Sequence, residues 1–128
     1  MEKKRVVLVV DDDHINRSIL KIYFEKDGYF VYEAKNGQEA IDIILANKEI
    51  INIVLDLNMP VMDGYTFIEQ SNMKISDMFL RIFITSAHSK EHYAKTVLDR
   101  KINTKNIVRY FEKPFLVNKL IDAIKNIE

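Results

Sequence analysis

The chain has 128 residues, of which 48% are hydrophobic and 30% are charged, and this composition indicates one folded domain and excludes an intrinsically disordered chain. Nineteen basic residues balance nineteen acidic ones, which argues against a nucleic-acid binder because such proteins carry a basic excess. The lack of cysteine in the sequence excludes disulfides, thiolate metal sites and thiol catalysis.

The first apolar segment, Val6–Val10, stops after five residues at Asp11. A secretory signal needs about seven or more apolar residues and a membrane helix about 18 or more, so we interpret the segment as a buried strand. We therefore expect a single cytoplasmic domain over residues 1–128 that contacts neither membrane nor nucleic acid directly.

Short apolar runs alternate with segments of helical periodicity along the rest of the chain. The strands are predicted at Val6–Val10, Tyr29–Tyr32, Ile50–Leu55, Phe79–Ile84 and Ile107–Phe111. The helices are predicted from His14 to a stop at Gly28, around 40–45, over Tyr65–Met73, from Lys90 to Lys101, and from Leu116 to Ile127. The first helical stripe consists of Ile15, Ile19, Ile22 and Tyr23.

Five strand–helix units predict an α/β fold, because parallel strands need helical crossovers that cover both faces of the sheet. We expect a doubly wound five-stranded parallel sheet of order 2-1-3-4-5, with the second strand at an edge. In such a sheet, ligands bind beyond the carboxyl ends of the strands, at the switch point between strands 1 and 3.

The residues that follow these strand ends form the most informative pattern in the chain. They are Asp11, Asp12 and Asp13 after strand 1, Asp56 at the end of strand 3, Thr85 and Ser86 at strand 4, and Lys113 after strand 5. Asp13 is expected to cap the first helix, because Asp is a favoured N-cap.

Clustered carboxylates repel one another unless a cation lies among them, and oxygen ligands favour a hard divalent ion. Magnesium fits best, with manganese as the alternative. A carboxylate beside that ion can attack phosphorus, while an ammonium and a hydroxyl hold the phosphoryl oxygens. The pattern therefore predicts a site that forms an aspartyl phosphate.

Four motifs carry a resemblance to a known family. They are Val9-Val10-Asp11-Asp12, the run from Leu55-Asp56 through Asn58, Pro60 and Asp63-Gly64, Thr85-Ser86-Ala87, and Lys113-Pro114-Phe115. In this order and spacing they resemble the receiver domain of two-component response regulators, of the chemotaxis-type single-domain kind, over nearly the whole chain. The resemblance implies a flavodoxin-like fold.

The resemblance also implies a role for each matching residue. Asp56 is the phosphoacceptor, and Lys113 pairs with the phosphoryl group. Magnesium is held by Asp11, Asp12, Asp56 and the backbone carbonyl of Asn58. Ser86 is the switch hydroxyl, and Tyr110 is the switch aromatic. A cis peptide bond between Lys113 and Pro114 is also implied. Ser86 is preferred over Thr85 because it precedes a small residue, Ala87, although strand periodicity alone leaves the choice open.

One segment departs from the family pattern: Asp99–Asn106 replaces a short glycine-containing turn between the fourth helix and the fifth strand. We therefore expect the usual output face, formed by helix 4, strand 5 and helix 5, to be altered in shape, with no change at the phosphorylation site.

The implied function is that of a signalling switch and not a turnover enzyme. The partners implied are a sensor histidine kinase or a histidine phosphotransfer protein, and an output protein of unknown identity; the chain is a monomer or a phosphorylation-linked dimer. The chain could also be a module of a hybrid kinase or a multidomain regulator.

A haloacid dehalogenase-type phosphohydrolase is disfavoured, because Asn58 stands where that family has its acid–base Asp. The complete acidic and basic set disfavours a pseudo-receiver that is never phosphorylated.

Overall fold

A computed structural model describes residues 5–127, so the predicted domain bounds, 1–128, extend beyond it at both ends. Strands and helices alternate along the chain, as the sequence predicts. They are β1 (Val6–Val10), α1 (His14–Lys26), β2 (Phe30–Ala34), α2 (Gly37–Ala46), β3 (Asn52–Asp56), α3 (Gly64–Lys74), β4 (Arg81–Ser86), α4 (Lys90–Arg100), β5 (Ile107–Glu112) and α5 (Val117–Lys125).

The five strands form one sheet of order β2-β1-β3-β4-β5, and all neighbouring strands are parallel. This confirms the predicted topology and the position of the second strand at an edge. Every residue of β1 and β3 is buried, because helices cover both faces of the sheet. The carboxyl ends of these two strands therefore lie side by side at the switch point.

Two apolar clusters lie on opposite faces of the sheet, and alternate residues of β3 enter each one. Ile53 and Leu55 pack with residues of α2 and α3. Val54 packs on the other face with Phe24 of α1 and Leu120 of α5. Asp56 lies two residues beyond Val54, so its side chain continues the row that faces α1 and α5.

The predicted apolar stripe of α1 turns out to face solvent. Ile15, Ile19, Ile22 and Tyr23 are all exposed, with Ile15 exposed by 68%. The residues that bury this helix against the sheet are Leu20 and Phe24. The helix is apolar over more than one side, so periodicity locates the helix correctly but does not identify the side that meets the sheet.

Several element ends differ from those predicted. Tyr29 is buried just before β2, which runs on to Ala34, and β4 continues to Ser86. Leu116 is the exposed N-cap residue of α5, and Ile127 lies beyond the end of that helix. The two strand ends follow from the strand pairing, because Ala34 pairs with Val10 and Ser86 pairs with Glu112.

The unusual segment 99–106 is built around one buried side chain. Lys101 ends α4 with a left-handed backbone (φ 54°), and Ile102 then enters the core with only 7% exposure. The carbonyl oxygen of Asn103 accepts a hydrogen bond from the Asn72 amide of α3 at 2.9 Å. The segment therefore joins α3 to the end of α4.

Within residues 5–127, no helix has the length and apolar character needed to cross a membrane.

Candidate functional site

The candidate site lies at the carboxyl edge of the sheet, where four chain segments meet. Asp56 and Ser86 are the last residues of β3 and β4, and Asp11 and Lys113 directly follow β1 and β5. The topology alone brings these side chains to one edge, because all five strands run in the same direction.

Three carboxylates form a compact cluster at this edge. One oxygen atom from each of Asp11, Asp12 and Asp56 lies within 4.8 Å of the other two. Asp11 and Asp56 are only 3% and 6% exposed, whereas Asp12 is exposed to solvent. The sequence prediction that these three residues meet is therefore confirmed by the geometry.

Lys113 provides the positive charge of the cluster. Its ammonium nitrogen lies 3.7 Å from an oxygen of Asp56 and 3.8 Å from an oxygen of Asp11. Its backbone N–H donates a hydrogen bond of 2.7 Å to the carbonyl oxygen of Ser86, and the peptide bond to Pro114 is cis, as the resemblance implies. The hydrogen bond to Ser86 holds the Lys113 backbone beside the end of β4, from where its side chain reaches the two buried carboxylates.

The charge balance of the cluster favours a further cation. Burial, and next the neighbouring Asp11 carboxylate, raises the pKa of Asp56 to about 6, against the opposing effect of Lys113. Burial also raises the pKa of Asp11, while the Asp13 amide and Lys113 oppose the increase. One ammonium leaves the carboxylates under-neutralised, and their hard oxygen donors at this spacing fit a divalent ion such as Mg²⁺.

The turn between β1 and α1 assigns its three acidic residues to different tasks. The Asp13 carboxylate caps α1 by accepting hydrogen bonds from the backbone N–H groups of Ile15 and Asn16, so the predicted cap is confirmed. The Asp13 N–H in turn donates to the Asp11 carboxylate at 2.9 Å. Asp12 stays free of the cap and available to the site.

The loop after β3 is shaped by a close backbone approach. The N–H of Gly64 donates to the carbonyl oxygen of Leu57 at 2.9 Å, and a Cβ atom at Gly64 would lie 2.6 Å from the Leu57 Cα. Only glycine fits there. The N–H of Asn58 donates a hydrogen bond of 3.3 Å to the Asp56 carboxylate. The role of the Asn58 carbonyl oxygen as a metal ligand stays a prediction.

The two hydroxyl residues at the end of β4 lie in different surroundings. Ser86 is fully buried, and its hydroxyl oxygen accepts a hydrogen bond of 3.1 Å from the His88 N–H. Thr85 is paired in register with Asp56 and, together with Asp11 and Lys113, lines a cavity of about 280 Å³ beside α1. Periodicity could not distinguish these surroundings, because strand register at the sheet edge decides them.

Tyr110 connects Ser86 with the surface of the molecule. Its hydroxyl donates a hydrogen bond to the backbone carbonyl oxygen of His88. Burial raises the pKa of Tyr110, and the Ser86 hydroxyl opposes that increase. The ring stacks on Tyr93 of α4 with a centroid distance of 4.6 Å.

One polar residue at the site was missed in the sequence. The Arg17 guanidinium of α1 donates a hydrogen bond of 2.7 Å to the backbone carbonyl oxygen of Asp11. The sequence did contain a signal for this contact: Arg17 is a basic residue one helical turn after the N-cap Asp13, on the side of α1 that faces the acidic turn.

Comparisons with known proteins agree with this architecture. Residues 7–125 match the family model described as the response regulator receiver domain. The chain is 31% identical over 121 residues to sporulation initiation phosphotransferase F of Bacillus subtilis (strain 168), covering 93% of this chain and 90% of that protein. It is 43% identical over 58 residues to the transcriptional regulatory protein SrrA of Staphylococcus aureus, covering 45% of this chain and 24% of SrrA.

Solved structures show the same fold. The response regulator TrrA of Thermotoga maritima, in complex with Mg²⁺ and BeF, superposes with a TM-score of 0.79 at 26% identity, covering 97% of this chain and 99% of TrrA. The chemotaxis protein CheY4 of Vibrio cholerae superposes with a TM-score of 0.82 at 23% identity, covering 98% of this chain and all of CheY4.

The chain belongs to the response regulator receiver domain family. Receiver domains are signalling modules of two-component systems that accept a phosphoryl group, and the buried acidic cluster at the sheet edge fits that activity.

Proposed function

We propose that Asp56 accepts a phosphoryl group from a phosphohistidine and that the resulting aspartyl phosphate changes the affinity of this domain for an output protein. The observation that carries this proposal is the buried Asp56 carboxylate, flanked by Asp11 and Asp12 and lying 3.7 Å from the Lys113 ammonium. Such a site combines a nucleophile with groups that neutralise the incoming phosphoryl charge.

The transfer forms one bond and breaks one. An oxygen of Asp56 attacks phosphorus, the O–P bond forms, and the N–P bond of the phosphohistidine breaks with its electron pair moving to the ring nitrogen. The imidazole leaves in neutral form when its other nitrogen carries a proton. Lys113 and the Ser86 hydroxyl are proposed to bind phosphoryl oxygens.

Asp11, Asp12, Asp56 and the backbone carbonyl of Asn58 are proposed to hold Mg²⁺, or Mn²⁺ in its place. The ion supplies positive charge that offsets the repulsion between the dianionic phosphoryl group and three carboxylates. The spacing of the three carboxylates and the exposure of Asp12 support this assignment, because Mg²⁺ keeps several water ligands.

The proposed donor is a histidine kinase or a histidine phosphotransfer protein in the cytoplasm. An apolar surface on α1, comprising Ile15, Ile19, Ile22 and Tyr23, is exposed beside the site. Ile19 also lines the cavity that reaches Asp11 and Lys113. Exposed apolar surface on a helix is typical of a protein-binding site, which supports a protein as the phosphoryl donor.

The proposed outcome is a lasting modification without substrate turnover. Asn58 occupies the position two residues after Asp56, where a phosphohydrolase that uses an aspartate nucleophile would need a second carboxyl group for acid–base catalysis. An amide does not transfer protons at neutral pH. The phosphoryl group is therefore expected to remain on Asp56 long enough to act as a signal.

The test is phosphorylation by a small phosphodonor, such as acetyl phosphate or phosphoramidate, with Mg²⁺ present. Intact mass should increase by one phosphoryl group in the wild type and in Asp42→Asn, a control that removes an exposed carboxylate of α2. Asp56→Asn should gain none. Equal labelling of Asp56→Asn and the wild type, or full labelling in excess chelator, would contradict the proposal.

A further inference from the structure

The turn that carries the acidic pair is fixed at several points. The Asp11 N–H donates to the carbonyl oxygen of Ala34 in β2 at 3.0 Å, and the Asp11 carboxylate accepts the hydrogen bond from Asp13. The remaining polar group of Asp11, its backbone carbonyl oxygen, accepts a hydrogen bond of 2.7 Å from Arg17. This last bond holds the peptide plane that leads from Asp11 into Asp12.

The Arg17 guanidinium is itself held in place. Its Nε atom lies 3.4 Å from one carboxylate oxygen of Glu33 in β2, and the ammonium of Lys21 lies 3.5 Å from the other oxygen. The Arg17 side chain is only 14% exposed. Glu33 is paired in register with Val9 of β1, so the guanidinium spans α1, the end of β1 and the edge strand.

We propose that Arg17 is a positioning residue for the divalent-cation site: by fixing the Asp11 carbonyl, it directs the exposed Asp12 carboxylate toward Asp11 and Asp56. This inference rests on the proposed Mg²⁺ site. On its C-terminal side, Asp12 is followed by Asp13, whose carboxylate caps α1. Because the Asp12 side chain is itself exposed, its orientation depends on the peptide that precedes it. An Arg with fixed fork geometry suits this task better than a flexible Lys.

Charge and geometry predict opposite effects for the loss of Arg17. By Coulomb attraction alone, removing a cation near three carboxylates should strengthen the binding of a second cation. Loss of a group that orients a metal ligand should weaken metal binding, and outer-shell partners of metal ligands typically contribute about 10–100-fold to affinity. The direction of the change in Mg²⁺ affinity therefore distinguishes a positioning role from a purely electrostatic one.

The experiment is a Mg²⁺ titration followed by the amide NMR shifts of Asp12, Asp13 and Asn58. Arg17→Met should weaken Mg²⁺ binding about tenfold. Arg17→Lys should also weaken it, by less, because an ammonium lacks the rigid fork that reaches the Asp11 carbonyl through one nitrogen and Glu33 through another. Lys21→Met is the matched control: it removes an equal charge from the other oxygen of Glu33 and should leave Mg²⁺ affinity unchanged or slightly stronger.

Thermal unfolding of each variant in chelator separates folding from metal binding. Should Arg17→Met fail to unfold cooperatively, Arg17→Lys alone decides. If Arg17→Met binds Mg²⁺ as tightly as the wild type, or more tightly, the inference is overturned. If Arg17→Met does not unfold cooperatively, the same result for Arg17→Lys overturns it. Equal weakening in Lys21→Met would also overturn it. A wild-type chain that binds no Mg²⁺ would overturn the proposed function as well, whereas normal wild-type binding with an unaffected Arg17→Met overturns this inference alone.

Discussion

The hydroxyl of Tyr110 donates a hydrogen bond to the backbone carbonyl oxygen of His88, two residues beyond Ser86. The same ring stacks on Tyr93, which stacks in turn on Tyr65 of α3 at a centroid distance of 6.3 Å. Aromatic contacts therefore run from β5 through α4 to α3, and the hydrogen bond joins this row to the segment after β4.

The far end of this aromatic row is held by a charged residue of α4. The Arg100 guanidinium lies over the Tyr65 ring at 5.4 Å and forms ion pairs with Asp63 and Glu69. No residue of α4 is fully buried, so these side-chain contacts contribute much of its attachment. A helix attached in this way can shift when a contact at one end changes.

The aromatic row predicts the path of the signal. Binding of beryllofluoride and Mg²⁺ should change amide shifts around Asp56, at Ser86 and Tyr110, and along α4. In Tyr93→Leu the changes in α4 should shrink, while those around Asp56 persist, because the ring that joins β5 to α4 is lost. Tyr32→Leu, which removes an aromatic ring from the opposite edge of the sheet, is the control and should leave the α4 response intact. An α4 response that survives in Tyr93→Leu would rule out this path.

The two hydroxyl residues of β4 can be distinguished by paired substitutions. Ser86→Ala should leave Asp56 able to accept phosphate but should reduce the amide shift changes at Tyr110, since it removes the hydroxyl beside that ring. Thr85→Val keeps the shape of the side chain and should preserve the Tyr110 response. Phosphorylation yield by mass and Tyr110 shifts by NMR provide the two measurements. The opposite pattern would assign the switch role to Thr85.

The raised pKa of Asp56 predicts a pH-dependent stability difference. In the folded state the pKa is about 6, above its ordinary value of 3.8, so folding favours the protonated carboxyl group. That stabilisation is present below pH 3.8 and is lost as the pH rises through about 6. In chelator at pH 7, Asp56→Asn should therefore be more stable than the wild type by on the order of 2 kcal/mol.

The measurement is the free energy of unfolding in urea between pH 4 and pH 7.5, compared between wild type and Asp56→Asn so that the titration of carboxylates distant from Asp56 cancels. Mg²⁺ at pH 7 should stabilise the wild type and reduce the difference. A difference that stays constant across this pH range would show that Asp56 does not titrate in this way.

Gly64 predicts a link between loop packing and phosphorylation. In Gly64→Ala the new Cβ would lie 2.6 Å from the Leu57 Cα and 2.8 Å from the Asp56 carbonyl oxygen, so the loop must move. We expect a loss of about 2–3 kcal/mol and slower labelling of Asp56. Gly28→Ala is the control: φ is +87° and its Cβ meets nothing within 4 Å. It should cost about 1–2 kcal/mol without changing the labelling rate. Equal labelling rates in both variants would contradict the link.

Val61 predicts a stabilising substitution in the same loop. Its φ of 67° is costly for a β-branched residue, and its side chain is 85% exposed, so little packing compensates for the strain. Val61→Asn should raise stability by about 1 kcal/mol, since Asn tolerates this conformation. The same substitution at Val108, which lies in β5 with extended backbone, should instead lower stability. Thermal unfolding measures both, and a lower Tm for Val61→Asn would argue against strain at this position.

The sequence by itself determined the alternation of elements, the strand order and the convergence of Asp11, Asp12, Asp56 and Lys113. The alternation follows from the change between strand and helix periodicity, and the strand order is that of a doubly wound five-stranded sheet. The convergence follows from one physical rule: parallel strands buried on both faces bring their carboxyl ends to one edge. Local chemistry was likewise readable, since Asp13 follows a strand and precedes a helical pattern, which is where a capping residue belongs.

Only the tertiary structure decided which face of each element meets its neighbours. Helix α1 carries apolar residues on two sides, and contact with the sheet buried Leu20 and Phe24 while leaving Ile15 exposed. Strand pairing placed Thr85 opposite Asp56 and Ser86 opposite Glu112, two residues beyond Tyr110. The hydrogen bond from Arg17 to the Asp11 carbonyl likewise depends on how α1 packs on β1 and β2. Its acceptor is a backbone carbonyl oxygen, which every residue has, so the side-chain pattern of the sequence does not identify the partner.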